Sequence, residues 1–256
     1  MAVNRYNYFS YNNQKKYCGS SQFKSFMKCS ASALAELNGE WKREETDALL
    51  IGSYVDAWFE GTLVGFKENH HQIFKRDGTL KSEYLKADEI IERVRSDDMF
   101  MSYMAGQKQV VRTGKVGGIP FKIKMDSYHK GKMIVDLKVV KDFRPIFDES
   151  DGCYVDFIRY WGYHYQAAIY QAVEGHGLPF YLCAVTKEKV PDLAVIQIPQ
   201  SWIDEALLEI EHNAELIDMI KHGEADPIRC EHCDYCKATR KLYRVISAEE
   251  MMLTGV

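Results

Sequence analysis

Two kinds of apolar spacing divide this chain. Apolar residues recur at helical intervals over Ser21–Leu37, Asp47–Gly61 and Glu83–Arg95, which predicts a helix in each. Strand-like runs follow near Gln109–Thr113, Pro120–Tyr128 and Lys132–Val139. A long, aromatic, proline-free stretch from Cys153 to about Gly175 predicts another helix. Strands near Phe180–Lys187 and Leu193–Ile198 and a helix over Trp202–Ile220 complete the order. Ser201 offers a capping hydroxyl ahead of acids in that last helix's first turn. Elements in this order predict an α/β fold with a mixed central sheet flanked by helices.

The most informative stretch is IPFKIKMDSYHKGKMIVDLKVVK, from Ile119 to Lys141. It reads as two strands with Gly131 in the short connection, so a hairpin brings Asp126 close to Asp136. Strand side chains alternate faces; Asp136 and Lys138 therefore share one face and Leu137 takes the other. Burying that charged pair without partners in the apolar run MIVDLKVV would cost roughly several kcal/mol. One reading is a structural salt bridge on a half-exposed strand. The other is metal-assisted hydrolysis of a phosphodiester. In that case the acids hold Mg²⁺ and the lysine orients a water or steadies the developing charge.

Three further features bear on that choice. Gln166 and Tyr170 stand four apart on one face of the aromatic helix. Upstream, LLIGSYVDAWFEG (Leu49 to Gly61) has the spacing of a buried helix with Asp56 inside it, four residues after Gly52; Glu60 reads as a solvated helix end. Near the C-terminus, RCEHCDYCKATR sets Cys230, Cys233 and Cys236 at metal-ligand spacing. An iron–sulfur cluster, a zinc ion with His232 or Cys29 as fourth ligand, and free thiols all fit that spacing. Cys153 and Cys183 lie in apolar runs as small core residues, whereas Cys18 lies in a polar segment.

Composition sets outer bounds. With 256 residues and 46% hydrophobic content, the chain can bury one large core, alone or with an attached lobe. No linker, repeat or low-complexity tract interrupts it, so residues 1–256 read as one domain. MAVNRYNYFSYNNQKKY lacks the apolar core of a signal peptide, and no apolar run approaches the roughly 20 residues of a membrane span. Seven cysteines, partly clustered, fit reduced thiols or metal ligands better than a disulfide framework; a cytoplasmic setting away from membranes is expected. A net charge of −4 is not that of a protein that coats DNA at large. Yet Lys122, Lys124, Lys130, Lys132, Lys138 and Lys141 collect around the acids, compatible with a grip on DNA confined to the site.

The D…DxK hairpin followed by the QxxxY helix resembles the PD-(D/E)XK nuclease superfamily, in its RecB-like branch. The resemblance covers nearly the whole chain, from Cys29 to Cys236. It implies a restriction-endonuclease-like αβββαβ core at about 45–200 with helical N-terminal and Cys-containing C-terminal additions. Residues 201–256 would pack back on the N-terminal segment. It implies Asp126, Asp136, Lys138, Gln166 and Tyr170 as catalytic residues, with Gln166 and Tyr170 bracing Lys138 and the scissile strand. Metal ligands for Mg²⁺ or Mn²⁺ would be Asp126, Asp136, the Leu137 carbonyl and Asp56. Asp56 stands where the branch carries the histidine of a GxxxH helix, and a carboxylate suits Mg²⁺ better than imidazole. Some members close their fold with a [4Fe-4S] cluster on three late cysteines and one early one, here Cys230, Cys233, Cys236 and Cys29. Within the superfamily, GSYVDAWFEG, KMDSY…IVDLK, YHYQAAIYQAV and RCEHCDYC are similar to phage and prophage exonucleases of the exonuclease VIII (RecE) type. That likeness implies digestion of linear duplex DNA from 5′ ends, a homo-oligomeric ring, and an annealing recombinase that receives the 3′ strands. A structure- or site-selective endonuclease, an inactive DNA-binding relative and a metal-cluster protein with incidental acids stay open beside it.

Overall fold

The computed structural model describes residues 2–43, 46–149 and 152–254. Helices α1 (Tyr11–Lys16), α2 (Ser20–Lys28) and α3 (Ser30–Asn38) come first. The single helix expected over 21–37 is thus two. Cys29 takes an extended backbone that ends α2, and its thiol accepts from the Ser32 N–H to cap α3. Helix α4 (Asp47–Glu60) starts on a Thr46 cap and stops at left-handed Gly61. Helices α5 (Leu63–Asn69), α6 (Ser82–Arg95) and α7 (Asp98–Tyr103) lead to the sheet.

Strands β1 (Gln107–Val116), β2 (Ile119–His129) and β3 (Met133–Val140) form an antiparallel meander. A small hairpin of β4 (Ile146–Asp148) and β5 (Cys153–Val155) follows, then α8 (Phe157–Tyr160) and α9 (Tyr163–Glu174). The helix expected from Cys153 therefore begins later. Asp156 caps α8 with its carboxylate, and Gly162 at φ 63° turns the chain into α9. A side chain at Gly162 would also meet Lys24 Cδ at 2.7 Å, so both conformation and space require glycine. Strands β6 (Phe180–Thr186) and β7 (Leu193–Gln197) precede α10 (Gln200–His222), α11 (Asp234–Ala238) and α12 (Ala248–Thr254). The expected Ser201 cap is not used: α10 starts at Gln200 after Pro199, whose restricted φ feeds the helix without a side-chain bond.

The five-stranded sheet runs β1-β2-β3-β6-β7, with β3 and β6 parallel and every other pair antiparallel. This is the mixed sheet expected from the element order. Phe121, Ile123, Ile134 and Leu182 face α2, α9 and α10, while Val135, Leu137, Cys183 and Val185 face α4 and α6. Each large apolar side chain so buried contributes about 1.5–3 kcal/mol. The alternation along β3 sends Asp136 and Lys138 toward α9 and Leu137 toward α4. Two cysteines depart from expectation. Cys18 is buried and its backbone bridges to Phe121 on β2, and Cys153 is exposed on the small hairpin. Among the described residues no helix is long and apolar enough to cross a membrane.

Candidate active site

Beyond the pairing of Ser127 with Val135, strands β2 and β3 part. The carboxylate of Asp126 enters the wedge, where Oδ2 accepts the Leu137 N–H at 3.0 Å in place of a backbone carbonyl. The next strand yields as well. Gln109 on β1 adopts φ 53°, a left-handed conformation rare for a non-glycine residue, and its Nε2 lies 3.4 Å from Asp126 Oδ1. Backbone strain of this kind concentrates at functional sites.

The parted strands form the floor of a cleft of about 730 Å³, walled by α2, α3 and the first turns of α4. Asp56, Asp126, Asp136, Leu137, Lys138, Gln166 and Tyr170 all line it. Asp136 is buried, ion-paired with Lys138 through Oδ2 and bonded by Gln166 Nε2 to Oδ1 at 2.6 Å. Tyr170 donates to the carbonyl of Lys124 at 2.9 Å. Gln166 thus bonds Asp136, the ion-pair partner of Lys138, and Tyr170 bonds strand β2. Asp56 Oδ1 is buried without a hydrogen-bond partner.

Electrostatics follow from this crowding. Burial, then the like charge of Glu60, pushes Asp56 up to about 6 although Lys124 pulls the other way. Asp126 is raised well above the usual carboxylate range by burial, then by Asp136 and Asp56. Burial works against charge on Lys138, but Asp136 and Asp126 outweigh it and hold the ammonium. A second lysine at the site carries no signal in the sequence. Lys24 of α2 lines the same cleft and donates to the Trp161 carbonyl at 3.0 Å, and burial, then Lys138, pushes it down to about 8. Lys122 and Lys124 line the cleft too, whereas Lys130, Lys132 and Lys141 are exposed outside it.

The late cysteines meet the early one. Cys29, Cys230, Cys233 and Cys236 place their sulfurs within 4.8 Å of one another, with Cys29 to Cys236 at 3.6 Å and Cys230 to Cys236 at 4.0 Å. Among the described residues this is the one such cluster of possible ligands; the cleft carboxylates stand wider apart, and His232 is not in it. Burial opposes a Cys230 thiolate, but the His232 and Cys233 N–H groups prevail and bring it down to about 7. The Ile228 carbonyl accepts from Ala31 N–H at 3.0 Å, fastening this segment to the start of α3.

This arrangement of sheet, paired acids and lysine has a family. Residues 19–239 match the family model described as a PDDEXK-like domain of unknown function, and the chain belongs to that family. The crystal structure of a chain from Eubacterium rectale named "Putative exonuclease" is 42% identical, with a TM-score of 0.93, over 99% of this chain and 98% of that one. No curated protein matches the sequence.

Proposed function

We propose that the protein is a metal-dependent deoxyribonuclease that removes nucleotides from the ends of linear duplex DNA. One observation carries this reading: Asp56, Asp126 and Asp136 face one cleft with Lys138, and their burial and mutual repulsion raise Asp56 and Asp126. Such a set is unfavourable by itself and fits a hard divalent cation, which takes oxygen ligands. Asp56, Asp126, Asp136 and the Leu137 carbonyl would hold Mg²⁺ or Mn²⁺, which supplies phosphoryl polarisation and a more acidic water. The protein's own groups do the rest. Lys138 stays charged and donates hydrogen bonds to the attacking water and the phosphoryl oxygens. Gln166 fixes one oxygen of Asp136, and Tyr170 fixes the strand that carries Asp126.

The family match and the Eubacterium rectale neighbour support nuclease chemistry. The RecE-type likeness supports 5′ to 3′ polarity, a ring-shaped homo-oligomer and delivery of 3′ strands to an annealing recombinase. The four cysteines would form a separate structural metal site, their sulfurs all within 4.8 Å of one another. Sulfurs around one tetrahedral zinc, with bonds of about 2.3 Å, stand roughly 3.8 Å apart. The separations of 3.6 Å from Cys29 to Cys236 and 4.0 Å from Cys230 to Cys236 lie near that value and support zinc as the metal.

The deciding experiment digests linear duplex DNA labelled at its 5′ or 3′ ends beside a closed circle, in Mg²⁺ and in EDTA. Metal-dependent loss of 5′ label with the circle spared is expected. A cut circle would make the protein an endonuclease with the same site, and no cutting in any divalent metal would refute the enzyme reading.

A further inference from the structure

The N-terminal segment exposes aromatic rings, Phe9 among them at the cleft, on a backbone tied by side-chain hydrogen bonds. Tyr6, Phe9 and Tyr11 are 83%, 68% and 56% exposed. Surface rings on a loose arm would need no explanation. This arm is not loose. Asn4 Oδ1 accepts the N–H groups of Tyr6 and Asn7 at 2.9 and 3.2 Å, and Asn7 Oδ1 accepts from Asn4 N–H at 2.8 Å. Tyr8 and Lys122 then exchange bonds: the Tyr8 hydroxyl donates to the Lys122 carbonyl at 3.1 Å, and Lys122 Nζ donates to the Tyr8 carbonyl. Lys122 is 1% exposed, and its burial, then the charge of Lys221, pushes it down to about 8. Burying a lysine is unfavourable, and here its ammonium anchors the residue next to Phe9.

Phe9 lies on the lip of the cleft that holds the acids. Tyr8 packs edge-on against it at 5.0 Å, and Lys124 Nζ stands 5.6 Å from its ring centroid. Lys124 is two residues before Asp126, and its carbonyl is the one Tyr170 holds. A fixed, solvent-facing ring beside an ammonium, continuous with a phosphate-handling cleft, matches both halves of a nucleotide: the ring suits a base and the ammonium its phosphate.

We infer that Phe9 stacks on an unpaired base of the strand entering the cleft, so the preferred substrate is a DNA end with overhanging or melted nucleotides. The inference rests on the nuclease reading and adds the form of the substrate to it. It is tested with a duplex carrying 2-aminopurine in a short overhang, bound in Ca²⁺. Wild-type protein should quench the 2-aminopurine. Phe9→Ala should abolish the quench and weaken binding about five- to a hundredfold, the range of one base–aromatic stack, and Phe9→Trp should restore both. Quenching and affinity that Phe9→Ala leaves within about twofold of wild type overturn the inference. Wild-type cutting of labelled DNA in Mg²⁺ separates the two ideas. If wild type cuts and Phe9 is indifferent, only the stacking shelf is wrong; if wild type neither binds nor cuts, the nuclease reading goes too.

Discussion

Replacing Asp56 by asparagine should make the metal-free protein more stable and the metal-loaded protein less so. Asp56 titrates near 6 rather than at the ordinary 3.8, because burial strips water from the carboxylate and Glu60 adds a like charge. The folded state therefore holds this proton more tightly than the unfolded chain. The penalty is complete above about pH 6 and is relieved as pH falls from 6 toward 3.8. At about 1.36 kcal/mol per pKa unit, that gap corresponds to about 3 kcal/mol near neutral pH. Asn keeps the shape and removes the charge, but it leaves a buried amide short of partners, which returns about 1–2 kcal/mol. A net gain of about 1–2 kcal/mol raises Tm in EDTA by about 2–8 °C for a chain of this size. Wild-type protein, in contrast, should gain about 2.7 kcal/mol from Mg²⁺ at a hundred times Kd, and Asp56→Asn should lose most of that rise. Thermal scans at about pH 7.5, with EDTA and then Mg²⁺, measure both quantities. A lower Tm for Asp56→Asn in EDTA, or an intact Mg²⁺ shift, would refute the reasoning.

Lys138→Ala should cut DNA about a hundred- to ten-thousandfold more slowly while still binding DNA ends; wild-type rates from rigorously purified variant would sink its assignment. Gln166→Leu removes a buried bond to a charged acceptor and should lower unfolding free energy by about 1.5–3 kcal/mol in urea titrations, with no change marking the contact as idle. Metal analysis of anaerobically purified protein should find zinc bound by the thiolates, and Cys236→Ser should lose that zinc and lower Tm by several degrees, roughly. Iron with visible absorbance would overturn the spacing argument.

The residues that meet in the cleft were legible because each follows from a short-range rule. Strand alternation pairs Asp136 with Lys138, a helical turn pairs Gln166 with Tyr170, and both pairs point where those periods require. Asp126 was legible as a neighbour of Asp136 but not as the filler of a parted ladder, since the break in β2–β3 pairing depends on packing from both faces. Gln109 carries no sequence signal for its left-handed backbone. Lys24 lies more than a hundred residues before Lys138, which it faces, so only the tertiary fold reveals it. The two helix expectations failed where periodicity carries no signal: extended Cys29 separates α2 from α3, and strand β5, the Asp156-capped α8 and left-handed Gly162 precede α9.

The joining of Cys29 to Cys236 across 207 residues also sets a timetable for biosynthesis. At ribosomal rates of about 5–20 residues per second, the early thiol waits some 10–40 s for its partners. By then Asp56, Asp126, Asp136 and Lys138 have all emerged, yet the junction between α2 and α3, and with it the wall bearing Lys24, still lacks the contacts of Ile228 and Cys236. The wall of the cleft that bears Lys24 is thus completed only after the late cysteine segment has been made, long after the cleft's acids and Lys138 have emerged.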